Sequence, residues 1–187
     1  MPGYPRAPNQ EPLSLKTLYL LRHAKSAWDR PELDDHDRGL NARGRAACDA
    51  LAKHMRRAGI KPALVLVSSA RRAQETWSRI AAALQRPPPV REAADLYMAE
   101  IGDLLRILRD VDDRAASVML VGHNPGLEEL AHEIVGGGAQ QALKRMATKF
   151  PTGALATIEL PAKRWRDVAG DEGRLTDFVT PASLEEA

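Results

Sequence analysis

Three runs of four apolar residues punctuate the chain: Leu18-Tyr19-Leu20-Leu21, Leu64-Val65-Leu66-Val67 and Val118-Met119-Leu120-Val121. Each is too short for a buried helix and is bounded by polar residues, so each reads as a strand. Their apolar character is continuous rather than alternating, as strands covered on both faces require, and a parallel sheet flanked by helices supplies that cover. The stretches between them keep helical spacing. Asn41 can cap a helix running to about residue 58, with Ala47, Leu51 and Met55 inward and Gly59 as its stop. Ser68 or Ser69 can cap a helix over residues 71–84, and Leu104, Leu105 and Leu108 mark another over 101–109. Pro125 suits the first turn of a helix capped by Asn124, whose stripe of Leu127, Leu130, Ala131 and Ile134 ends at Gly136-Gly137-Gly138. Val90 opens a short edge strand toward Leu96, and residues 154–160, 164–168 and 174–179 read as short closing strands. The alternation predicts an α/β protein: a three-layer α/β/α sandwich with a mostly parallel central sheet.

With 187 residues, 44% of them apolar and 28% charged, the chain has the composition of a globular protein with a substantial core. Residues 1–14, with prolines at 2, 5, 8 and 12 and no apolar segment of a secretory signal, read as a flexible tail, and residues 15–187 as one domain. No run approaches the ~20 apolar residues of a membrane span. The 27 basic and 25 acidic residues form no basic block, so charge gives no ground for a nucleic-acid partner. The lone Cys48 cannot form an intramolecular disulfide and sits in a helical stretch, where a small buried residue is the expectation. A cytoplasmic monomer is the expected form.

Chemistry enters at the strand ends. The first apolar run closes on Arg22-His23, the second on Ser68-Ser69-Ala70-Arg71-Arg72 and the third on Gly122-His123-Asn124. If the three strands are parallel, two histidines and the arginines converge at the carboxyl edge, where open α/β sheets bind ligands. Guanidinium forks fit anionic phosphoryl oxygens, and an unprotonated imidazole nitrogen can attack phosphorus, so the constellation reads as a phosphoryl-transfer site with a histidine nucleophile. His54 and His132 lie within helices at no metal-ligand spacing and read as structural. His36, inside Asp34-Asp35-His36-Asp37-Arg38, is open between a solvated loop, a local salt network and a wall of the site.

Arg22-His23-Ala24, Ser69-Ala70-Arg71-Arg72-Ala73 and Gly122-His123-Asn124-Pro125-Gly126, in this order, resemble the histidine phosphatase (phosphoglycerate mutase-like) superfamily over residues 16 to 180. The stretch from Arg22 to Trp28, with Asp35-His36-Asp37-Arg38, resembles its SixA-type phosphohistidine phosphatases. The resemblance implies a phosphatase needing no metal and no cofactor, with His23 as nucleophile and Arg22, Arg72 and His123 holding the phosphoryl oxygens. It favours Arg72 over Arg71, and brings Ser26, His36 and Asn124 into substrate binding. The implied substrate is a phosphorylated protein resembling a phosphotransfer domain. The alternatives are a small phosphate-bearing ester or anhydride, and a non-catalytic phosphate-binding module. A metallohydrolase is disfavoured, since no helix carries paired histidines. Three departures stand out: Glu100 lies near the family's general-acid segment but out of motif, Asn124 stands where some members have aspartate, and Gly39 replaces a frequent proline.

Overall fold

Which side of the sheet each apolar residue faces decides how the layers assemble. The computed structural model describes residues 15–185, so the expected tail over residues 1–14 lies outside the described residues. Strand β1 (Lys16–Arg22) sits centrally in a seven-stranded sheet with β2 (Leu64–Val67), β3 (Val90–Glu92), β4 (Ser117–Gly122), β5 (Val135–Gly138), β6 (Leu155–Leu160) and β7 (Gly173–Val179). The spatial order is β3-β2-β4-β1-β6-β7-β5, and β6 alone runs against its neighbours. One face carries Leu18, Leu20, Leu66, Val118 and Leu120. These pack with Leu104 and Leu108 of α3 (Ile101–Arg109), Leu127 and Leu130 of α4 (Gly126–Ile134) and Met146 of α5 (Gln140–Thr148). The other face carries Leu21, Val65, Val67, Met119 and Val121 against Leu51 and Met55 of α1 (Ala42–Arg57) and Trp77 and Ile80 of α2 (Arg71–Ala82). A short α6 (Pro181–Glu185) packs on α1. The sheet is thus sandwiched, as the continuous apolar runs require.

Register brings the strand ends level. Arg22 pairs with Gly122 and Val67 with Val121. Beyond the ladders, the His23 amide donates to the Gly122 carbonyl at 3.0 Å and the Ser68 amide to that of Val121 at 2.9 Å. The three polar strand ends therefore leave the sheet at one height, on one edge.

The start of α1 is fitted against the turn after β1. Asn41 caps the helix, its side-chain oxygen accepting from the Gly44 amide at 2.8 Å, while its own amide donates to the Lys25 carbonyl at 3.0 Å. Gly59, at φ +66°, ends the helix as expected. Cys48 is buried within α1, and burial pushes its thiol up to about 11.

Several local expectations change. Residues 164–168 form no strand. Trp165–Asp167 is a single 3₁₀ turn with Trp165 fully buried, because its indole donates to the Ala115 carbonyl at 2.9 Å and its amide to Asp113 at 2.8 Å. The Gly136-Gly137-Gly138 stop is itself an edge strand beside β7, and α5 follows it unanticipated. The edge strand from Val90 ends at Glu92 and becomes a 3₁₀ turn over Ala94–Leu96. Neither Ser68 nor Ser69 caps α2, and Asn124 does not cap α4, because Ala70 and Pro125 stand at the two N-cap positions. Among the described residues no helix is long and apolar enough to cross a membrane.

A Cβ at position 44 would run into the Lys25 carbonyl, a rigid backbone atom of the His23 turn. Gly44→Ala is expected to cost about 1–3 kcal/mol, read as a lowered urea midpoint, because neither backbone can retreat without unpacking the other.

Candidate active site

The turn after β1 is built around Thr76, one helical turn beyond Arg72. Its hydroxyl donates to the Arg72 carbonyl at 2.6 Å and accepts from the Ala24 amide at 3.0 Å, joining the His23 turn to the first turn of α2. His23 is buried, and its Nδ1 lies 2.8 Å from the Ala24 carbonyl, which accepts but cannot donate. The proton therefore belongs on Nδ1, and the lone pair on Nε2 faces the Nε–H of Arg72 at 3.3 Å. His123, also buried, meets Arg72 Nη2 at 3.3 Å through Nδ1, which fixes that nitrogen as acceptor and leaves Nε2 to donate to Ser68 Oγ at 2.8 Å. The two imidazole centroids lie 5.0 Å apart. Arg72 is the hub of the cluster.

Its outer donors turn to the long connection after β1. Nη1 donates to the Asp35 carbonyl at 2.6 Å and Nη2 to Asp35 Oδ2 at 2.9 Å, and the Tyr97 hydroxyl donates to the same oxygen at 3.1 Å. Arg22 is fixed differently: its Nη1 donates to the Phe150 carbonyl at 2.8 Å, which also accepts from Asn124 Nδ2 at 3.0 Å. Asn124 further donates to Glu128 at 2.8 Å. Arg22 Nε and Asn124 Oδ1 are buried without a hydrogen-bond partner among the described residues.

Burial among cations sets the charge of the imidazoles. Desolvation, joined by Arg72 and Arg22, pulls His23 down to about 4 against the pull of the Ala24 carbonyl. Desolvation, His23 and Arg72 take His123 down to about 3. Both rings are therefore neutral near pH 7, and burial lowers the pKa of Arg22 as well. The result is a water-poor seat with two guanidinium groups and an unprotonated imidazole nitrogen, which is fit to receive an oxyanion.

His23, Arg72 and His123 are thus in mutual contact, and the charge of Arg22 acts on all three. Arg71 points away, paired with Glu75 at 2.7 Å. His36 stands beside the cluster as a wall, its Nε2 at 3.0 Å from Ser69 Oγ and its ring against Tyr97. Ser26 anchors the neighbouring loop, its carbonyl accepting from Asn41 Nδ2 at 3.1 Å. Glu100 is exposed at the N-cap of α3, where its amide donates to Asp103 at 3.4 Å. Among the described residues no three His, Cys, Asp or Glu side chains are grouped to hold a metal ion. Sequence reasoning missed Asp35, Tyr97, Ser68 and Thr76 as neighbours of the cluster. Thr76 carried a signal, one turn past Arg72 on the buried face of a helix, whereas nothing in the acidic run singled out Asp35.

A histidine of the unfolded chain takes up a proton near pH 6.5, but His23 and His123 resist doing so until about 4 and about 3. Across that window the unfolded state binds more protons, so stability rises with pH and is lost as pH falls from 6.5 toward 4, with His54 adding the same sign. The urea midpoint is expected to drop between about pH 7 and about pH 4.5, and a His23→Gln/His123→Gln double variant to flatten that drop. An equally steep fall in the variant would show that these rings are not the desolvated groups.

A family model of the histidine phosphatase superfamily (branch 1) matches residues 18–115. An uncharacterised protein of Mycobacterium leprae is 32% identical over 167 residues, spanning 86% of this chain and 99% of its own. The SixA protein of Agrobacterium tumefaciens, assigned as a phosphohistidine phosphatase, shares 31% identity at a TM-score of 0.73, covering 89% of this chain and 99% of its own. Its counterpart from Nakamurella multipartitia shares 26% at 0.74, covering 91% and 99%. Matched in sequence over more than half its length and in fold over nearly all of it, the chain belongs to the histidine phosphatase superfamily, branch 1.

Proposed function

We propose that this chain is a metal-independent phosphatase that removes the phosphoryl group from a phosphohistidine side chain of a protein, working through a phosphohistidine of its own at His23. The observation that carries the reading is the state of His23: Nδ1 tied to the Ala24 carbonyl, Nε2 unprotonated and facing Arg72. The Nε2 lone pair attacks phosphorus, the P–N bond to the substrate imidazole breaks, and that ring, protonated on its other nitrogen, leaves with the bonding pair as neutral imidazole. Arg22 and Arg72 spread the charge of the equatorial oxygens, and His123, accepting from Arg72 through Nδ1, holds that guanidinium at the site. Water then attacks phosphorus, the Nε2–P bond breaks, and a proton is released with the phosphate.

The leaving group decides how strong an acid the reaction needs. An alcohol departing from a phosphate ester needs a proton in the transition state, whereas imidazole leaving phosphohistidine makes little demand on a carboxylic acid. Glu100, the carboxylate the family pattern offered for that duty, is solvent-exposed at the N-cap of α3. The likeness to the Agrobacterium tumefaciens SixA protein supports the same substrate class. Ser26, His36 and Asn124 are read as lining for that substrate, and the enzyme as a cytoplasmic monomer.

His23→Ala is expected to abolish turnover and phosphoenzyme formation, with a chelator having no effect. Assayed side by side, a phosphohistidine protein should be turned over well ahead of a panel of phosphorylated metabolites. Glu100→Gln should lower kcat/KM for the phosphohistidine protein by less than about tenfold, or ~1.4 kcal/mol. A loss of about a thousandfold in a folded variant would instead make Glu100 the general acid and move the substrate to a phosphate ester. Equal, very slow rates on every substrate would favour a phosphate-binding module.

A further inference from the structure

A guanidinium group has two usable edges, one offering Nε and Nη2 and the other Nη1 and Nη2. In Arg72 these edges serve different partners, with Nη2 directing one hydrogen to each. The first faces His23 Nε2 and His123 Nδ1, each at 3.3 Å, and so covers the space where a phosphoryl group transferring to His23 must sit. The second grips Asp35 twice, its carbonyl at 2.6 Å and its carboxylate at 2.9 Å. We propose that Asp35, steadied by the Tyr97 hydroxyl, is the positioning residue that aims Arg72 at the phosphoryl group and tempers its charge.

The grip is what the side chain needs. Arginine has four rotatable side-chain bonds, and the contacts of its first edge are with two imidazole nitrogens that a bound phosphoryl group would displace or share. The second edge is left untouched by that exchange, so the orientation survives substrate arrival. Asp35 opens a one-turn 3₁₀ helix whose closing bond runs from the Asp37 amide to the Asp34 carbonyl at 3.0 Å. Two further tethers keep that turn in place. Tyr97 donates to Asp35 Oδ2 at 3.1 Å, with its ring edge-on to His36 and to His123, and His36 reaches Ser69 at 3.0 Å. The Tyr97 segment, 96–100, is where the family pattern places an acid. Here it supplies a hydroxyl that holds an aspartate.

Electrostatics gives the arrangement a second effect. Burial pushes the Asp35 carboxyl up, but the bond to Arg72 and its charge outweigh this and hold it below the usual carboxylate range, so it stands ionised beside the guanidinium. A carboxylate on the far edge offsets part of the arginine's charge. Free phosphate is then held less tightly than a bare guanidinium would hold it, which favours product release. Aim and affinity should therefore respond to Asp35 in opposite directions, a pattern that local unfolding cannot produce.

The inference rests on His23 as nucleophile, and its test is chosen to stand apart from the identity of the physiological substrate. Phosphoenzyme formation is followed in single turnover with phosphoramidate as a small phosphoryl donor, and inorganic phosphate binding by calorimetry. In Asp35→Ala, formation is expected to slow by about tenfold or more, the scale of a misplaced catalytic group, while phosphate binds severalfold tighter. Asp35→Asn keeps an acceptor oxygen without the charge, so it should lose only about threefold in rate yet show the same tightening. Tyr97→Phe should slow formation severalfold and leave phosphate affinity near that of the natural protein. A natural rate in Asp35→Ala, weaker or unchanged phosphate binding there, or an Asp35→Asn protein as slow as Asp35→Ala would overturn the proposal. If the natural protein forms no phosphoenzyme at all, the phosphatase reading fails, and the phosphate titration of Asp35→Ala alone decides the placement of Asp35.

Discussion

The structure depends on the register between β1 and its parallel neighbours. A single backbone bond, from the His23 amide to the Gly122 carbonyl, carries the β1–β4 ladder one step past the strand and sets His23 beside the residue that precedes His123. Because side chains alternate between faces, a slip of one residue would turn Leu18 and Leu20 toward the wrong layer, so burial of both apolar faces locks the height at which the polar ends emerge. The packing that makes the sheet stable is therefore the same packing that brings the imidazoles to 5.0 Å from each other. Close placement of two histidines and an arginine, costly on its own because all three are desolvated, is sustained by a core with no alternative register.

Continuous apolar runs made much of this legible in the sequence. Those runs announce strands buried on two sides, and parallel strands send like ends to like edges, so the meeting of His23, Arg72 and His123 follows from where each run stops. What could not be read was anything set by side-chain length or by sequence-distant packing. Asp35 is one of three aspartates in four residues, and only the reach of Arg72 distinguishes it from Asp34 and Asp37. Trp165 sits in a stretch with the look of a strand, but its indole finds the Ala115 carbonyl and the chain turns around it instead. Asn124 has every local credential of a helix cap, yet its amide is drawn to the Phe150 carbonyl, 26 positions away.

The candidate site also shows how burial sets the charge of a cluster of polar side chains. Removing water raises the cost of every charge, and the chain answers by keeping both imidazoles neutral and by giving each guanidinium backbone or carboxylate acceptors, although Arg22 Nε has no partner among the described residues. The fixed acceptors matter as much as the donors. The Ala24 carbonyl chooses the tautomer of His23, Ser68 that of His123, and Thr76 ties both His23 and Arg72 to one helix turn. None of these partners needs to touch a substrate to determine what the site can do.

The reversal of β6 carries a consequence for how such a protein can diversify. Running against its neighbours, β6 begins where the others end, so the segment ahead of it is delivered to the reactive edge although it lies more than a hundred residues from His23 in sequence. There the Gly153 amide donates to the carbonyls of both Arg22 and His23, at 3.1 and 3.0 Å, and the Phe150 carbonyl receives Arg22 and Asn124. Changes in length or composition between these two anchors would reshape the rim without replacing a single cationic side chain. The rim at this edge is thus drawn by backbone from a remote stretch and the cationic centre by side chains from the strand ends, so substitution can alter either one separately.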